Sequence, residues 1–248
     1  MKIVHLSDLH FRFHLPGTSP IPRRKSRQVR DLLPRMLAQA ASFSPDLGVL
    51  TGDLLDFPTI PSYSRQGSPL KELAHQDLNW LAQVLGESGY PWIVIPGNHD
   101  PQDLVESIWG KRGECVLGGY RFVCFYDREG EGHVPHRCGA EWVKFRQALE
   151  KKDLPQVHLQ HFLICPEKNE GYPHTYAEAL DLLRCIEEKG NLVRLVLCGH
   201  YHPGVKPFWK GRTLFSVVPA FCEEPHRYRT YLLEEDRVVW REEEVILL

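Results

Sequence analysis

Short apolar runs alternate along the chain with stretches whose apolar residues recur every three or four positions. Lys2–Leu6, Leu47–Leu50 and Trp92–Ile95 read as buried strands of near-continuous Ile, Val and Leu. Between the first two, Val29, Leu32, Leu33, Met36, Leu37 and Ala40 fall at helical spacing. Pro34 predicts that this helix starts near Asp31, which would put the proline in its first turn. Leu70, Leu73, Leu78, Leu81, Val84 and Leu85 predict a second helix, ended by Gly86 or Gly89, and Asp103–Trp109 predicts a short third one.

The middle of the chain changes character. Glu114–Leu117 and Tyr120–Tyr126 read as a hairpin turning at Gly118-Gly119. Glu141–Lys152 is helical and Gln156–Gln160 a strand. Thr175 and Glu178 have capping-box spacing before a helix through Lys189. Leu192–Cys198 is again a buried strand. Val205–Trp209, Thr213–Val218, Tyr228–Glu234 and Val238–Glu242 then read as antiparallel hairpins. Strands alternating with helices, closed by hairpins, predict an α/β fold whose central sheets are covered by helices. With no internal repeat or linker, residues 1–248 read as a single domain. Segments 11–30 and 57–69, rich in Pro, Ser, Tyr or Arg, fit neither period. Loops of that length are often functional.

Composition narrows the function. Lys+Arg at 30 against Asp+Glu at 32 gives a net charge of -2, which excludes a broadly basic nucleic-acid coat. No apolar run approaches the ~18–20 residues of a membrane span, and the first residues lack the pattern of a signal peptide. Seven cysteines, an odd number without a CxxC pair, predict free thiols and a reducing, cytoplasmic setting. Trp80, Trp109 and Trp209 read as core residues or as an interface, and the oligomeric state is not legible.

The polar groups fall where the strands stop. The first strand runs into Asp8-Leu9-His10, the second into Gly52-Asp53, and the third into Gly97-Asn98-His99-Asp100. The Gln156–Gln160 strand ends at His161, and the Leu192–Cys198 strand at Gly199-His200-Tyr201-His202. Ligands of open α/β sheets sit outside the carboxyl ends of strands, so these ends deliver carboxylates, an amide and imidazoles to one rim. Asp8 and His10 are two apart and would point the same way from extended backbone, as would His200 and His202. Such donors suit intermediate divalent metals such as Mn, Fe, Zn or Co. They are too many for one tetrahedral ion and suit two ions about 3.5–4 Å apart sharing a carboxylate. Glycines 52, 97 and 199 would allow tight turns beside the metals.

This ordered set resembles the calcineurin-like metallophosphoesterase superfamily, whose fold is a sandwich of two mixed β-sheets flanked by helices in four layers. The resemblance implies that Asp8, His10 and His202 hold one metal and Asn98, His161 and His200 a second, with Asp53 bridging. It places His99 near the leaving-group oxygen. Members often carry two adjacent histidines at the fourth block, whereas this chain has His158-Leu159-Gln160-His161, so His158 is the alternative ligand.

The implied activity is phosphoester hydrolysis by a metal-bridging hydroxide, with manganese the favoured activator and a phosphodiester favoured over a monoester. Asn98 would help neutralise the phosphoryl oxygens and His99 would protonate the leaving group, oriented by Asp100 or Asp56. Arg12 is a candidate substrate contact. The basic run Arg23, Arg24, Lys25, Arg27 and Arg30 reads either as a solvated loop face or as a clamp for a second phosphate or a nucleic-acid backbone. Tyr172, His174 or Tyr176 could supply a substrate wall, with packing the alternative for the two tyrosines. The expected partner is a small phosphorylated substrate, such as a nucleotide, and neither a membrane nor, by preference, nucleic acid. A nuclease, a nucleotide or lipid pyrophosphohydrolase and a non-catalytic scaffold are the alternatives.

Overall fold

The computed structural model describes residues 1–57 and 69–246, so most of the 57–69 segment lies outside the described residues. The elements run β1 (Lys2–Leu6), α1 (Val29–Ala41), β2 (Leu47–Thr51), α2 (Pro69–Gly86), β3 (Trp92–Ile95) and α3 (Gln102–Trp109). The hairpin β4 (Glu114–Leu117) and β5 (Tyr120–Cys124) follows, then the two-residue strands β6 (Arg128–Glu129) and β7 (Pro135–His136). Next come α4 (Gly139–Glu150), β8 (Gln156–Leu159), α5 (Ala179–Glu187) and β9 (Val193–Cys198). Last are β10 (Val205–Lys210), β11 (Thr213–Val217), β12 (Arg227–Leu233) and β13 (Val238–Glu244).

Two mixed sheets result, a five-stranded one ordered β13-β12-β1-β2-β3 and a six-stranded one ordered β10-β11-β9-β8-β5-β4. The near-continuous apolar strands are explained by burial on both faces. Ile3, Leu47, Val49 and Ile95 meet Phe122, Val157, Leu159, Leu195 and Leu197 between the sheets. On the outer face of the first sheet, Val4, Leu6 and Leu50 pack against Leu33 and Met36 of α1 and Leu78 and Leu81 of α2. On the outer face of the second, Val123 and Val196 pack against Phe145 of α4 and Leu182 and Ile186 of α5. The layers are therefore helix, sheet, sheet, helix, as anticipated.

Three local expectations are corrected. Helix α1 begins at Val29, so Pro34 lies inside it rather than in its first turn. The proline is on the exposed side while the buried stripe from Val29 to Ala40 is intact, and that burial outweighs one missing backbone hydrogen bond. The capping box before α5 does not form. Thr175 Oγ1 accepts from Lys168 N at 2.8 Å, and the Glu178 carboxylate accepts from Arg137 N at 3.0 Å, so tertiary partners take both side chains. Trp80 stacks on Phe11 in the core, but Trp209 is 47% exposed on the edge strand β10.

Candidate metal centre

The carboxyl ends of β1, β2, β3, β8 and β9 meet at one rim, where the sequence-predicted donors converge. Asp8 and His10 follow β1, Asp53 follows β2, Asn98 and His99 follow β3, His161 follows β8, and His200 and His202 follow β9. Asp8, His10, Asp53, His161, His200 and His202 are all buried. The first group joins Asp8, His10 and His202, with His10 Nε2 3.1 Å from His202 Nε2 and His202 Nε2 3.6 Å from Asp8 Oδ1. The second joins Asp53, His161 and His200, with Asn98 Oδ1 3.0 Å from His161 Nε2. Asp53 spans both, since its Oδ2 lies 3.4 Å from His10 Nε2 and its Oδ1 lies 3.5 Å from His161 Nε2.

The backbone achieves this convergence by an unforeseen route. Asp8 (φ 56), His10 (φ 42), Asp53 (φ 50) and His200 (φ 64) all adopt left-handed conformations, so the paired residues are aimed by turns and not by extended chain. Non-glycine residues bear strain there, and such strain collects at functional sites. Glycine serves proximity at all three anticipated positions, and Gly52 (φ 96), whose Cβ would strike the Gly97 backbone and the His161 ring, also makes a left-handed turn. A Cβ on Gly97 would strike the Asp53 side chain and backbone N, and one on Gly199 would strike Ser7 and Asp8.

Groups behind the donors orient them. His161 Nδ1 donates to Thr51 O at 2.7 Å, and His202 Nδ1 lies 2.5 Å from Glu223 Oε1, which turns both Nε2 lone pairs inward. Asp100 does not orient His99. Its carboxylate accepts from the backbone N–H of Leu54, Leu55 and Gly97, tying the Asp53 loop to the Asn98 loop. Burial, with the nearby Asp53 charge, pushes Asp100 up to about 7. Asp56 is the carboxylate facing His99, its Oδ1 3.8 Å from the buried Nδ1, beyond hydrogen-bond length. Glu223 carried no sequence signal, because it lies in an acidic pair that reads as surface.

His158 is elsewhere, buried between Phe125 and Phe145 with Nε2 2.9 Å from Gln156 Oε1, and belongs to none of the donor groups. Tyr176 also leaves the site for the core, where it donates to Asp127 Oδ2 at 2.6 Å.

The donor set fits divalent cations. Asp8 Oδ1 and His200 Nε2 are buried without a hydrogen-bond partner, and orphaned acceptors of this kind are costly unless a cation takes them. Burial pushes His10 down to about 3, leaving a neutral imidazole whose lone pair can coordinate. On His161 burial acts the same way, but the adjoining Asp53 outweighs it and raises the imidazole to about 9, so a cation bound at its Nε2 would take the place of that proton.

Beside these donors opens a cavity of about 600 Å³, lined by Arg12, Arg24, Asp56, Asn98, His99 and Tyr172 among others. Residues 1–204 match the calcineurin-like phosphoesterase family. The chain belongs to that family.

Family membership implies a dinuclear divalent metal centre and phosphoester hydrolysis. A probable cyclic nucleotide phosphodiesterase from Synechococcus sp. is 26% identical over 95% of this chain and 89% of its own length. A dimetal phosphatase from Danio rerio shares the fold with a TM-score of 0.69 at 16% identity, over 99% of this chain and 96% of that one. TT1561 of Thermus thermophilus does so with a TM-score of 0.60 at 17% identity, over 99% of both chains. No helix among the described residues is long and apolar enough to cross a membrane.

Proposed function

We propose that this calcineurin-like chain is a dinuclear-metal phosphodiesterase acting on small nucleotide-like esters. The observation that carries the reading is Asp53, whose two oxygens face separate histidine groups and can bridge two ions. Asp8, His10 and His202 would hold one ion, and Asn98, His161 and His200 the other. Manganese is the activator proposed, since mixed carboxylate, amide and imidazole ligation accommodates it. When bound, the pair supplies Lewis-acid charge at the phosphoryl oxygens and lowers the pKa of water held there.

The protein's own groups do the rest. With Oδ1 turned to His161, the Asn98 amide N–H₂ is free to donate to a phosphoryl oxygen. The His99 ring lines the cavity with Nδ1 toward Asp56, which leaves Nε2 to give a proton to the leaving oxygen. A diester needs room for a second ester group, and the cavity offers it along Ile21, Phe57, Tyr172 and Tyr201. The name of the Synechococcus relative points the same way. The seven free cysteines agree with a cytoplasmic setting.

The test compares bis-p-nitrophenyl phosphate with p-nitrophenyl phosphate on manganese-loaded protein, beside Asp53→Ala. Metal-dependent cleavage that favours the diester and disappears in the variant is expected. A monoester preference, or full activity in Asp53→Ala, would overturn the reading.

A further inference from the structure

The basic run after the first strand does not form a continuous face. Arg27 donates to the carbonyls of Phe13, Leu15 and Gly17, and the Arg30 guanidinium lies 3.5 Å over the Phe13 ring. Both serve the loop itself. Asp77, fully buried on α2, pins the same loop by accepting from the backbone N–H of Phe13, His14 and Leu15. The segment is thus a built structure, and it turns two guanidinium groups inward.

Those groups are Arg12 and Arg24. Arg12 Nε donates to Asp56 Oδ2 at 3.0 Å, and Arg24 donates to Asp56 Oδ1 at 3.2 Å. Their side chains are only 10% and 11% exposed, and both line the cavity. Arg24 Nε is buried without a hydrogen-bond partner. Two cations therefore share one carboxylate, and an excess positive charge faces the cavity. Buried charge in that state is costly unless an anion completes it. Arg23 does not supply the missing balance, because it is a cation too and is already 3.0 Å from Glu223.

Asp56 also fixes the clamp's place relative to the chemistry. The Oδ1 atom that receives Arg24 lies 3.6 Å from His10 Nδ1 and 3.8 Å from His99 Nδ1. Asp56 thus stands between the two guanidiniums and the His10 and His99 rings, which sets the clamp to one side of the metal donors within the same cavity.

We propose that the substrate carries a second phosphate, distinct from the scissile one, that docks on Arg12 and Arg24. The inference rests on the phosphoesterase reading and narrows its substrate class to nucleotide-like esters with two phosphates. Guanidinium forks are suited to such bidentate oxyanion recognition. The second phosphate could be adjacent in a diphosphate or placed across a ribose, and the test separates these.

The experiment uses manganese-loaded protein, its Arg24→Gln variant and its Arg12→Gln variant. The 5′-(p-nitrophenyl) ester of thymidylate is compared with its 3′-phosphorylated counterpart and with the p-nitrophenyl ester of thymidine 5′-diphosphate. Binding of thymidine 5′-phosphate, 5′-diphosphate and 3′,5′-bisphosphate is measured by calorimetry in parallel. At least one two-phosphate ester should exceed the one-phosphate ester about tenfold in kcat/KM, with its matching nucleotide binding about tenfold tighter. Arg24→Gln should collapse both ratios toward one, and so keeps the test decisive if Arg12→Gln fails to fold. Which ester shows the gain identifies the diphosphate or the ribose-spanning arrangement. Equal or weaker use of both two-phosphate esters, with no tighter binding, overturns the proposal, as does a preference that survives in Arg24→Gln. If no ester is cleaved, the phosphoesterase reading fails, and the calorimetric ratios still decide the clamp.

Discussion

Glu223 Oε1 sits 2.5 Å from His202 Nδ1, and the same oxygen receives Arg23 at 3.0 Å. The imidazole is held from behind by a carboxylate, which fixes its tautomer and sharpens Nε2 as a donor. Burial raises the Glu223 carboxyl, but the His202 hydrogen bond and the His202 and Arg23 charges outweigh it and hold it below its ordinary value. Replacing Glu223 with Ala should weaken manganese binding roughly 10–100-fold in a chelator-competition titration. Unchanged affinity would reduce Glu223 to a surface partner of Arg23.

His99 is assigned a proton and no ion. The His99→Gln variant should keep wild-type metal content by atomic absorption yet lose roughly 10²–10⁴-fold in kcat on a diester with an alkoxide leaving group. A p-nitrophenolate ester, whose leaving group needs no proton, should lose much less. Equal losses on the two esters would point instead to misplacement of the neighbouring His10 ring, 4.8 Å away.

His158 makes the acid limit of the fold testable apart from the metals. Burial, reinforced by Arg137, pushes its imidazole from 6.5 down to about 3, so it stays neutral in the folded chain. The unfolded chain takes up that proton as pH falls through 6.5, and stability present above 6.5 is lost progressively towards pH 3. Between pH 7 and pH 5, chelated wild-type protein should lose about 2 kcal/mol more than His158→Phe in urea unfolding. The hydrogen bond to Gln156 that the variant forgoes shifts both pH values alike. Parallel losses would show that His158 does not titrate in this way.

Chelation should lower the melting temperature, and manganese should restore it in a concentration-dependent manner. A ligand at a hundredfold its Kd stabilises by about 2.7 kcal/mol. His202→Ala should show a smaller restoration than wild type. A melting temperature indifferent to manganese would argue against a metal centre at these residues.

The strand ends were legible because chemistry-bearing residues interrupt long apolar runs at Asp8, Asp53, Asn98, His161 and His200. What escaped was tertiary. Glu223, in an acidic pair, and Asp77, on a helix, carry no local signal, and their roles come from loops that arrive from elsewhere along the chain. The left-handed backbones of Asp8, His10, Asp53 and His200 contradict local preference, so periodicity could not foresee them. Thr175 and Glu178 match a local capping pattern, yet partners outside the helix claim both side chains.

The donors are divided between the two sheets. Asp8, His10, Asp53 and Asn98 leave the five-stranded sheet, and His161, His200 and His202 leave the six-stranded one. Each donor group draws on both sheets, so the fit within each group is set by how thickly the interior packs, through residues such as Leu47, Val49 and Ile95 on one side and Leu159 and Leu197 on the other. The greasy interior acts as the calliper of the reaction centre. A methylene lost deep between the sheets would reach the chemistry as a change in jaw width, without touching a single polar group.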